Sequence, residues 1–356
     1  MKERLLILAI NPGSTSTKIA VYDGSEPLFE QLLAHSAEEL SRFGRVSEQF
    51  YFRKGLIVET LGKEGIAVGD LRAVVGRGGM VRPLASGIYE VNEALIRDLR
   101  DSSGDHASNL GGLIAAEIAS EAGCKAYIAD PVVVDELCPE ARYTGLPQIE
   151  RRSIFHALNQ KSMARKYAES RGRRYEDMNF VVAHLGGGVT VSAHRRGKAI
   201  HTNSAMDGDG PFTPERSGGV PSASLVALCF SGKYTREEVE KMINGRGGVV
   251  AYLGTNSMIE AERRAASGES LAVEVMNAMS YDIGRHIGAA AAVLHGEVDA
   301  IIITGGVARC RMITDYVGRM VSWIAPVEVM PGENELEALA DNALRVLRGT
   351  LQPSVY

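Results

Sequence analysis

The 356-residue sequence contains little cysteine, and what it contains is not arranged for a structural role. None of the cysteines forms a C-x-x-C pair, and none lies beside a histidine at metal-binding spacing. We therefore predict buried, reduced thiols rather than a disulfide framework or a zinc site. The four cysteines are Cys124, Cys138, Cys229 and Cys310.

The sequence also lacks long apolar runs and a strong net charge. No stretch approaches the roughly 20 apolar residues of a membrane span, so we expect a soluble, cytoplasmic protein without a membrane partner. A net charge of -5 provides no basic face or tail, which argues against a nucleic-acid partner. With 45% apolar and 23% charged residues, the composition is typical of a globular enzyme, and the length predicts about two domains.

Several common ligand motifs are missing. No G-x-x-x-x-G-K-[ST] segment occurs, which counts against a P-loop nucleotide site. The turn that follows residues 301–303 lacks G-x-G-x-x-G, which counts against a dinucleotide-binding Rossmann unit. The eight histidines show no metalloprotease or zinc spacing.

A strand, a glycine-containing turn and a second strand occur twice in the sequence. The first copy comprises residues 5–10, the polar turn that follows and residues 18–22. The second comprises residues 180–183, a triple-glycine turn and residues 189–194. Gly13 and Gly186 lie 173 residues apart, close to half the chain, so we predict a duplicated fold with one phosphate-binding hairpin in each half.

Further segments predict an α/β fold. We expect strands at residues 71–75, 126–129, 300–303 and 327–330. We expect helices at residues 109–122, 153–169 and 270–294, and a final helix ending near residue 347. Ligands of open α/β sheets bind beyond the carboxyl ends of the strands. Five predicted strands end in polar residues or glycine, which indicates a cleft; these residues are Asn11, Arg77, Asp130, His184 and Gly305.

Two Gly-rich segments are candidate phosphate loops. Residues 11–18 contain hydroxyls, backbone N–H groups and a terminal lysine that can surround phosphate oxygens. The alternative is an ordinary hairpin turn with solvated Ser and Thr side chains. Residues 184–188 contain three glycines, which allow a ligand to approach the backbone closely. The turn at residues 304–307 fits either a nucleoside contact or close packing of a helix on a strand.

Isolated polar residues are candidates for the reacting groups. Arg77 lies among three glycines and Arg216 precedes Ser-Gly-Gly, and arginine suits bidentate binding of carboxylate or phosphate. A surface arginine beside a turn is the alternative for each. Asp130 lies before Pro131, where a turn-forming aspartate is common. His156 lies on a predicted helix, where a structural histidine is the alternative.

The ordered set of motifs resembles the acetate and butyrate kinase family of the actin-like ATPase superfamily. The likeness is carried by residues 11–18, 152–156, 184–188, 214–218 and 303–306, and it spans nearly the whole chain. The triple glycine and the segment 155–161 are more similar to the butyrate kinase branch.

The resemblance implies a two-lobed actin-like ATPase fold, made of duplicated ribonuclease-H-like domains with an interdomain cleft. The acceptor-side domain is expected at residues 1–152 together with a C-terminal helix at about 337–356, and the ATP-binding domain at 153–336. The implied reaction is reversible transfer of a phosphoryl group from ATP to a short-chain carboxylate, butyrate or a branched relative, to give ADP and an acyl phosphate. The implied cofactor is Mg²⁺, and a homodimer or higher homo-oligomer is expected.

The resemblance also assigns roles to individual residues. Asn11 and Glu335 would help to place Mg²⁺, with Glu333 as the alternative carboxylate. Arg77 would hold the substrate carboxylate, Asp130 would be the catalytic aspartate, and His156 and Arg216 would stabilise the phosphoryl group during transfer. The nucleotide-binding residues would be Ser14, Ser16, Lys18, His184, Leu185, Gly186, Gly187, Gly188, Gly305, Gly306 and Val307.

Two other classes of function share parts of this pattern. A chaperone-like ATPase would have both phosphate loops but would not need Arg77 and Arg216 for an acceptor. A sugar or glycerol kinase would need a general base for its hydroxyl acceptor, and Asp130 would then have that role.

Overall fold

The computed structural model describes residues 4–101, 106–204 and 206–356, and the chain divides into two compact units. Unit 1 comprises Met1–Val134 and Asn334–Tyr356, and unit 2 comprises Asp135–Glu333. The described elements are numbered here in chain order.

The strands are β1 (Leu6–Pro12), β2 (Ser16–Asp23), β3 (Glu26–Ala34), β4 (Leu71–Arg77), β5 (Ile88–Glu90), β6 (Lys125–Ala129), β7 (Asn179–Leu185), β8 (Val189–Arg195), β9 (Lys198–Thr202), β10 (Ala300–Gly305) and β11 (Val327–Pro331). The α-helices are α1 (Ala37–Leu40), α2 (Phe50–Lys63), α3 (Glu93–Asp101), α4 (Asn109–Ala122), α5 (Pro139–Arg142), α6 (Ala157–Ser170), α7 (Ser222–Cys229), α8 (Arg236–Ile243), α9 (Val249–Leu253), α10 (Met258–Ala266), α11 (Ser270–Val293), α12 (Arg311–Val321) and α13 (Glu335–Leu347). Short 3-10 helices occupy Val46–Gln49, Val68–Asp70, Tyr175–Asp177 and Val307–Arg309.

Each unit contains one mixed sheet, and the two sheets have the same strand order. Unit 1 has the order β3-β2-β1-β4-β6-β5, and unit 2 has the order β11-β10-β7-β8-β9. In both, three consecutive antiparallel strands are followed by two strands parallel to the first. Read from the same edge, β3-β2-β1-β4-β6 therefore corresponds to β9-β8-β7-β10-β11, and β5 is an addition in unit 1. This common order bears out the duplicated α/β plan.

The first strand of each sheet is buried because helices cover both faces. All seven residues of β1 are buried, and α2, α4 and α13 contribute to its surroundings. Continuous apolar strands of this kind are typical of parallel sheet centres. A Cβ atom on Gly76 would lie 2.1 Å from the carbonyl oxygen of Gly111, so glycine is required where α4 packs on β4. This close packing fixes the end of β4, which carries Arg77.

The boundary between the units differs from the predicted one at residues 152/153. The segment after Val134 is joined to unit 2 by its own polar contacts. The Nζ of Lys161 on α6 lies 2.7 Å from a carboxylate oxygen of Glu136, and the backbone N–H of Cys138 donates to the carbonyl of Ile200. These contacts explain why the division falls at 134/135. The second division, at 333/334, lies close to the predicted one.

Two predicted helical ranges differ from those in the structure. Helix α6 begins at Ala157 rather than at residue 153, because His156 is its N-cap with non-helical backbone angles (φ -80°, ψ 59°). The final helix was predicted to end near residue 347, and α13 covers Glu335–Leu347; the range of about 337–356 given for the C-terminal part of the acceptor-side domain is therefore longer than the helix itself. The helix predicted at 109–122 has those bounds in the structure. Among the described residues, none of the helices combines the length and the apolar character needed to span a bilayer.

His194 on β8 is a fully buried polar residue of unit 2. Its ring contacts the hydroxyl of Tyr175 and the side-chain amide of Gln160. Burial is the main cause that lowers the pKa of His194 well below its usual value of 6.5, and the charges of Lys161 and Arg165 lower it further. The folded protein therefore holds this imidazole neutral.

We expect His194 to make the protein less stable in mild acid. Below about pH 6.5 the unfolded chain takes up a proton at this site that the folded chain does not, so stability falls as the pH falls, by up to about 1.4 kcal/mol per pH unit. Urea unfolding at about pH 7.5 and about pH 5.5 measures the loss. In His194→Gln the loss should be smaller, whereas His295→Asn, at an exposed site, should retain it. Equal losses in wild type and His194→Gln would contradict this account.

Candidate active site

The hairpin between β1 and β2 places the predicted phosphate contacts of unit 1 on one face. Asn11 is directly opposite Lys18 in the antiparallel register, so their side chains share a face, and Ser16 lies two residues before Lys18 on that same face. Ser14 is exposed in the turn, which is closed by a 2.8 Å hydrogen bond from the N–H of Gly13 to the carbonyl of Ser16. The alternation therefore groups the residues that the sequence suggested.

The turn of this hairpin is supported from below by Arg53 on α2, a residue that sequence reasoning missed. Arg53 is fully buried. Its Nη1 donates to the carbonyl of Gly13 at 2.8 Å, to the carbonyl of Ser16 at 3.0 Å and to Oγ1 of Thr17 at 3.0 Å. Its Nη2 donates to the carbonyl of Ser14 at 3.2 Å.

The contacts of Arg53 also orient the N–H groups of the turn. In a planar trans peptide the C=O and N–H bonds point in opposite directions. Because the carbonyls of Gly13 and Ser14 face the guanidinium, the N–H groups of Ser14 and Thr15 face away from it. Outward backbone N–H groups in a glycine-containing turn form an anion-binding surface.

A sequence signal for Arg53 was present. Gln49, Arg53, Ile57 and Leu61 follow one another at intervals of four residues and are all buried, so the arginine occupies an otherwise core-facing stripe of α2. Burial lowers the pKa of Arg53 to about 10, which still leaves it charged at neutral pH. A charge inside an apolar stripe requires polar partners, and these are the hairpin carbonyls and Gln49.

Three predicted residues of unit 1 meet at the carboxyl ends of β1 and β4. Nη1 of Arg77 lies 3.0 Å from Oε2 of Glu335 and 3.3 Å from Oδ1 of Asn11. The Nδ2 of Asn11 donates to the same Oε2 of Glu335. Asn11 and Glu335 are buried, and Arg77 is partly exposed. Asn11 and Glu335, which both contact Arg77, form what we call the acidic cluster.

The geometry separates the two candidate glutamates. Glu335 begins α13 and turns its carboxylate into the acidic cluster. Glu333 is exposed, and its backbone carbonyl accepts a hydrogen bond from Asn159. Glu335 is thus the glutamate that unit 1 brings to Asn11.

Asp130 directly follows β6 and is buried in a strained backbone conformation. Its φ of 38° lies in the left-handed region, which is uncommon for residues other than glycine. Its Oδ1 accepts hydrogen bonds from the hydroxyl of Ser86 and the N–H of Gly87, the latter at 2.9 Å. These contacts fix the carboxylate beyond the strand that pairs in parallel with β4.

The second hairpin, between β7 and β8, is the main feature of the candidate site in unit 2. Its turn is closed by a 3.0 Å hydrogen bond from the N–H of Gly186 to the carbonyl of Gly188. The hydroxyl of Thr213 donates to the carbonyl of Gly187 at 2.6 Å, so the N–H of Gly188 points away from Thr213. The Leu185 side chain lies in the hydrophobic core, so its contribution to a ligand is limited to its backbone.

Arg216 packs directly on this hairpin. A Cβ atom on Gly188 would lie 2.3 Å from Nη1 of Arg216, so any larger residue there would have to displace the guanidinium. Burial is the main cause that lowers the pKa of Arg216, and the charge of Glu215 opposes it. The structure thus joins two predicted residues, Gly188 and Arg216, that lie in separate motifs.

His156 and His184 stack in the same unit. Their ring centroids are 3.8 Å apart and the planes differ by 11°. Nδ1 of His156 lies 2.8 Å from Oγ1 of Thr190, and Nδ1 of His184 lies 2.7 Å from Oδ1 of Asn159. Each ring is held through one nitrogen by a neighbouring side chain.

The predicted adenosine turn follows β10. Gly305 has a φ of 91°, and a Cβ atom there would lie 2.2 Å from the carbonyl oxygen of Leu185. Glycine is therefore required by the approach of β10 to β7, whatever it binds. Gly306 is exposed, and Val307 packs on the core of unit 2.

Comparison with known proteins identifies relatives of the whole chain. A model of the acetokinase family matches residues 143–321. Butyrate kinase 2 of Clostridium acetobutylicum is 50% identical over 351 residues, which are 98% of this chain and 99% of that protein. The crystal structure of Porphyromonas gingivalis acetate kinase has a TM-score of 0.79 at 19% identity, covering 96% of this chain and all of that one. A propionate kinase from Francisella tularensis has a TM-score of 0.73 at 19% identity, covering 95% of this chain and 98% of that one.

The chain therefore belongs to the acetokinase family, as its ordered motifs predicted. Members of this family are ATP-dependent carboxylate kinases, which confirms the predicted class of enzyme and its nucleotide substrate. The solved structures confirm the predicted fold class, an α/β chain of the actin-like ATPase type.

We expect Arg53→Met to destabilise the protein, because several turn carbonyls lose a charged donor. Each buried group left without a partner costs about 1–3 kcal/mol, so the free energy of unfolding should fall by at least about 2 kcal/mol. Urea denaturation measures this change, and the KM for ATP should rise in the same variant.

The matched control for Arg53→Met is the next residue of α2. Lys54, whose side chain is 15% exposed, pairs with Glu117 and Glu121, whose carboxylates are half-exposed, and ion pairs with such exposed groups contribute about 0–1 kcal/mol. Lys54→Met should therefore change stability by less than about 1 kcal/mol. Similar effects in the two variants would show that the hairpin does not depend on Arg53.

Proposed function

We propose that this chain is a butyrate kinase, which transfers the terminal phosphoryl group of ATP to a short-chain aliphatic carboxylate, butyrate or a branched relative. The products are ADP and an acyl phosphate, and the reaction is reversible. The observation that carries the acceptor assignment is the 50% identity to Butyrate kinase 2 across 98% of the chain.

The residues of both units fit the chemical demand of this reaction. A carboxylate is ionised at neutral pH and needs no general base to act as a nucleophile. The barrier lies in bringing one anion to another, so positioning and charge neutralisation supply the catalysis. The proposed groups that do this are the arginines Arg77 and Arg216, which lie outside the two hairpin turns, and the outward backbone N–H groups of the turns themselves.

Arg77 is the proposed ligand of the acceptor carboxylate. Within the described ranges, the hydrogen bonds of Arg77 to Asn11 and Glu335 both use Nη1. Guanidinium has five donors in a planar fork, so Nη2 and Nε provide an edge that matches a carboxylate. The contact with Glu335 holds that fork in place before the acceptor arrives.

Asn11 and Glu335 are the proposed holders of Mg²⁺. Within the described ranges, no group of three or more His, Cys, Asp or Glu residues is placed to hold a metal by itself. Mg²⁺ commonly takes one or two carboxylates and completes its shell with water and substrate phosphates. The buried Glu335 carboxylate and the Asn11 amide fit that requirement. When bound, the ion would neutralise charge on the ATP phosphates.

We assign the remaining polar residues to the phosphoryl group and the nucleotide. Asp130, fixed by Ser86 and Gly87, is the proposed catalytic aspartate. His156 and Arg216 donate hydrogen bonds to the phosphoryl oxygens during transfer. In unit 1, Ser14, Ser16 and Lys18 are proposed phosphate ligands. In unit 2, residues 184–188 are proposed ligands of the ATP phosphates, and Gly305, Gly306 and Val307 are proposed contacts of the adenosine. Unit 1 is thus the acceptor-side unit and unit 2 the ATP-binding unit.

A cytoplasmic location accompanies this proposal. ATP is the substrate, and all four cysteines are free in the structure, as a reducing compartment requires.

The preferred acceptor should be a four-carbon acid. An apolar pocket distinguishes one methylene by about 1–3 kcal/mol, so kcat/KM for butyrate and isobutyrate should exceed that for acetate by at least about tenfold. Hydroxylamine trapping of the acyl phosphate, coupled to ADP release, measures each acid under the same conditions.

The same assay separates the alternatives. A preference for acetate would contradict the butyrate assignment. ADP release that requires a polyol, without trapped hydroxamate, would indicate a sugar or glycerol kinase. ADP release that is independent of any acceptor would indicate a chaperone-like ATPase.

We also propose that the protein is a homo-oligomer, with α7 in the contact between subunits. The sequence of α7, Ser-Ala-Ser-Leu-Val-Ala-Leu-Cys, is strongly apolar, yet none of its residues is buried. Val226 is 56% exposed, and Phe230, which follows the helix, is 87% exposed. Exposed apolar patches of this kind are characteristic of protein contact surfaces.

Charged substitutions on α7 should dissociate the oligomer. Val226→Glu combined with Phe230→Glu places two carboxylates on the patch, and light scattering after size exclusion should show a shift to monomer. Trp323→Glu is the matched control, because Trp323 is 81% exposed but lies after α12. A monomeric wild type, or an unchanged mass in the double variant, would overturn the proposal.

A further inference from the structure

A buried chain of hydrogen bonds in unit 2 ends at His156. Its direction follows from the orientation of the Gln160 side-chain amide. One side-chain amide atom of Gln160, assigned as Nε2, lies 3.1 Å from the backbone carbonyl oxygen of Thr190 and 2.9 Å from its hydroxyl oxygen. A carbonyl oxygen can only accept, so the amide nitrogen of Gln160 must face Thr190. The amide oxygen of Gln160 then faces the opposite way, towards His194.

The imidazole of His194 fits only one arrangement of protons. Its Nε2 lies 2.9 Å from the amide oxygen of Gln160, which can only accept, so Nε2 carries a proton. The ring is fully buried near Lys161 and Arg165, which favours the neutral form. Nδ1 of His194 is then an acceptor, and the hydroxyl of Tyr175 donates to it at 2.7 Å.

The direction of the hydrogen-bond chain determines which atom accepts the hydroxyl proton of Thr190. Gln160 donates to the Thr190 hydroxyl oxygen, and the hydroxyl itself must donate elsewhere because Thr190 is fully buried. In the described part of the chain, that oxygen also lies 2.8 Å from Nδ1 of His156. Nδ1 of His156 is therefore the acceptor for the hydroxyl proton.

We propose that the chain Tyr175–His194–Gln160–Thr190 holds His156 in the tautomer that carries its proton on Nε2. Gln160 donates to Thr190, and Thr190 donates to His156, so both donors point towards His156. The backbone carbonyl of Thr190 prevents the Gln160 amide from exchanging its nitrogen and oxygen positions. The proposal rests on the proposed function, since Nε2–H is then the donor for a phosphoryl oxygen. Thr190 and Gln160 are positioning residues for that donor.

The stacked partner of His156 has the opposite tautomer. The amide nitrogen of Asn159 donates to the backbone carbonyls of Gly332 and Glu333, so its oxygen faces His184 and accepts from Nδ1. His184 therefore carries a proton on Nδ1, whereas Nδ1 of His156 carries none. The two rings differ only because one neighbour donates and the other accepts.

Nitrogen NMR of the imidazole rings tests the assignment without any turnover. Protein labelled with ¹⁵N-histidine is recorded at about pH 8, where exposed histidines are neutral, and the signals of His156 and His184 are identified by their loss in His156→Asn and His184→Asn. The expected result is a protonated Nε2 and an unprotonated Nδ1 for His156, with Nδ1 protonated for His184. A protonated Nδ1 on His156 would overturn the proposal.

Substitution of Thr190 tests the direction of the chain. Thr190→Val keeps the shape of the side chain and the carbonyl contact of Gln160 but removes the donor to His156. The spectrum of His156 should then show both tautomers, and kcat should fall about tenfold or more with little change in the KM for ATP. Thr190→Ser restores the hydroxyl and should restore both the single tautomer and kcat.

The control is a second buried hydroxyl of the same sheet. Thr202 on β9 accepts a hydrogen bond from Ser192 and is not connected to His156 in the described structure. Thr202→Val should leave the tautomer of His156 unchanged. If the tautomer is as expected but His156→Asn still forms acyl phosphate at the wild-type rate, the assigned role of His156 fails and the hydrogen-bond chain stands. A single unchanged tautomer in Thr190→Val would refute the chain itself.

Discussion

The structure depends above all on how the carbonyl groups of two hairpin turns are satisfied. A turn that binds anions must present N–H groups outward, and its carbonyls must then find donors inside the protein. In unit 1 the donor is the buried guanidinium of Arg53, which donates hydrogen bonds to carbonyls on both sides of the turn. In unit 2 the Thr213 hydroxyl donates a hydrogen bond to the carbonyl of Gly187. The two units share a strand order but use unrelated side chains for this task.

Neighbouring groups keep positively charged arginines close to both hairpins, although the protein as a whole is acidic. Each of three arginines is held by a different neighbouring group. Turn carbonyls hold Arg53, the acidic cluster holds Arg77, and Arg216 packs on Gly188. A guanidinium remains charged even when burial lowers its pKa, so these arginines keep their charge within the two candidate sites. Water competes less at such sites than at the surface, so the proposed contacts with phosphate or carboxylate would be stronger there.

Much of the site could be predicted because its residues lie in short, contiguous motifs. The strand ends at Asn11, Arg77, Asp130 and His184 follow from apolar runs that stop at polar residues, and Gly186 to Gly188 are recognisable as a turn. The supporting residues could not be found in this way. Arg53 and Gln160 lie on helices that look ordinary, and their partners Gly13 and Thr190 lie about 30 to 40 positions away in sequence, so only packing reveals the contacts.

The sequence by itself determined the α/β fold class, the duplicated hairpins, the family and most of the candidate site residues. Local patterns were enough for these, because hydrophobic period, glycine turns and motif order are properties of short segments. The tertiary structure decided which glutamate joins Asn11, where the units divide, and which atoms hold Arg53 and His156. Those outcomes depend on contacts between segments far apart in the chain, where a few ångströms decide whether a hydrogen bond forms.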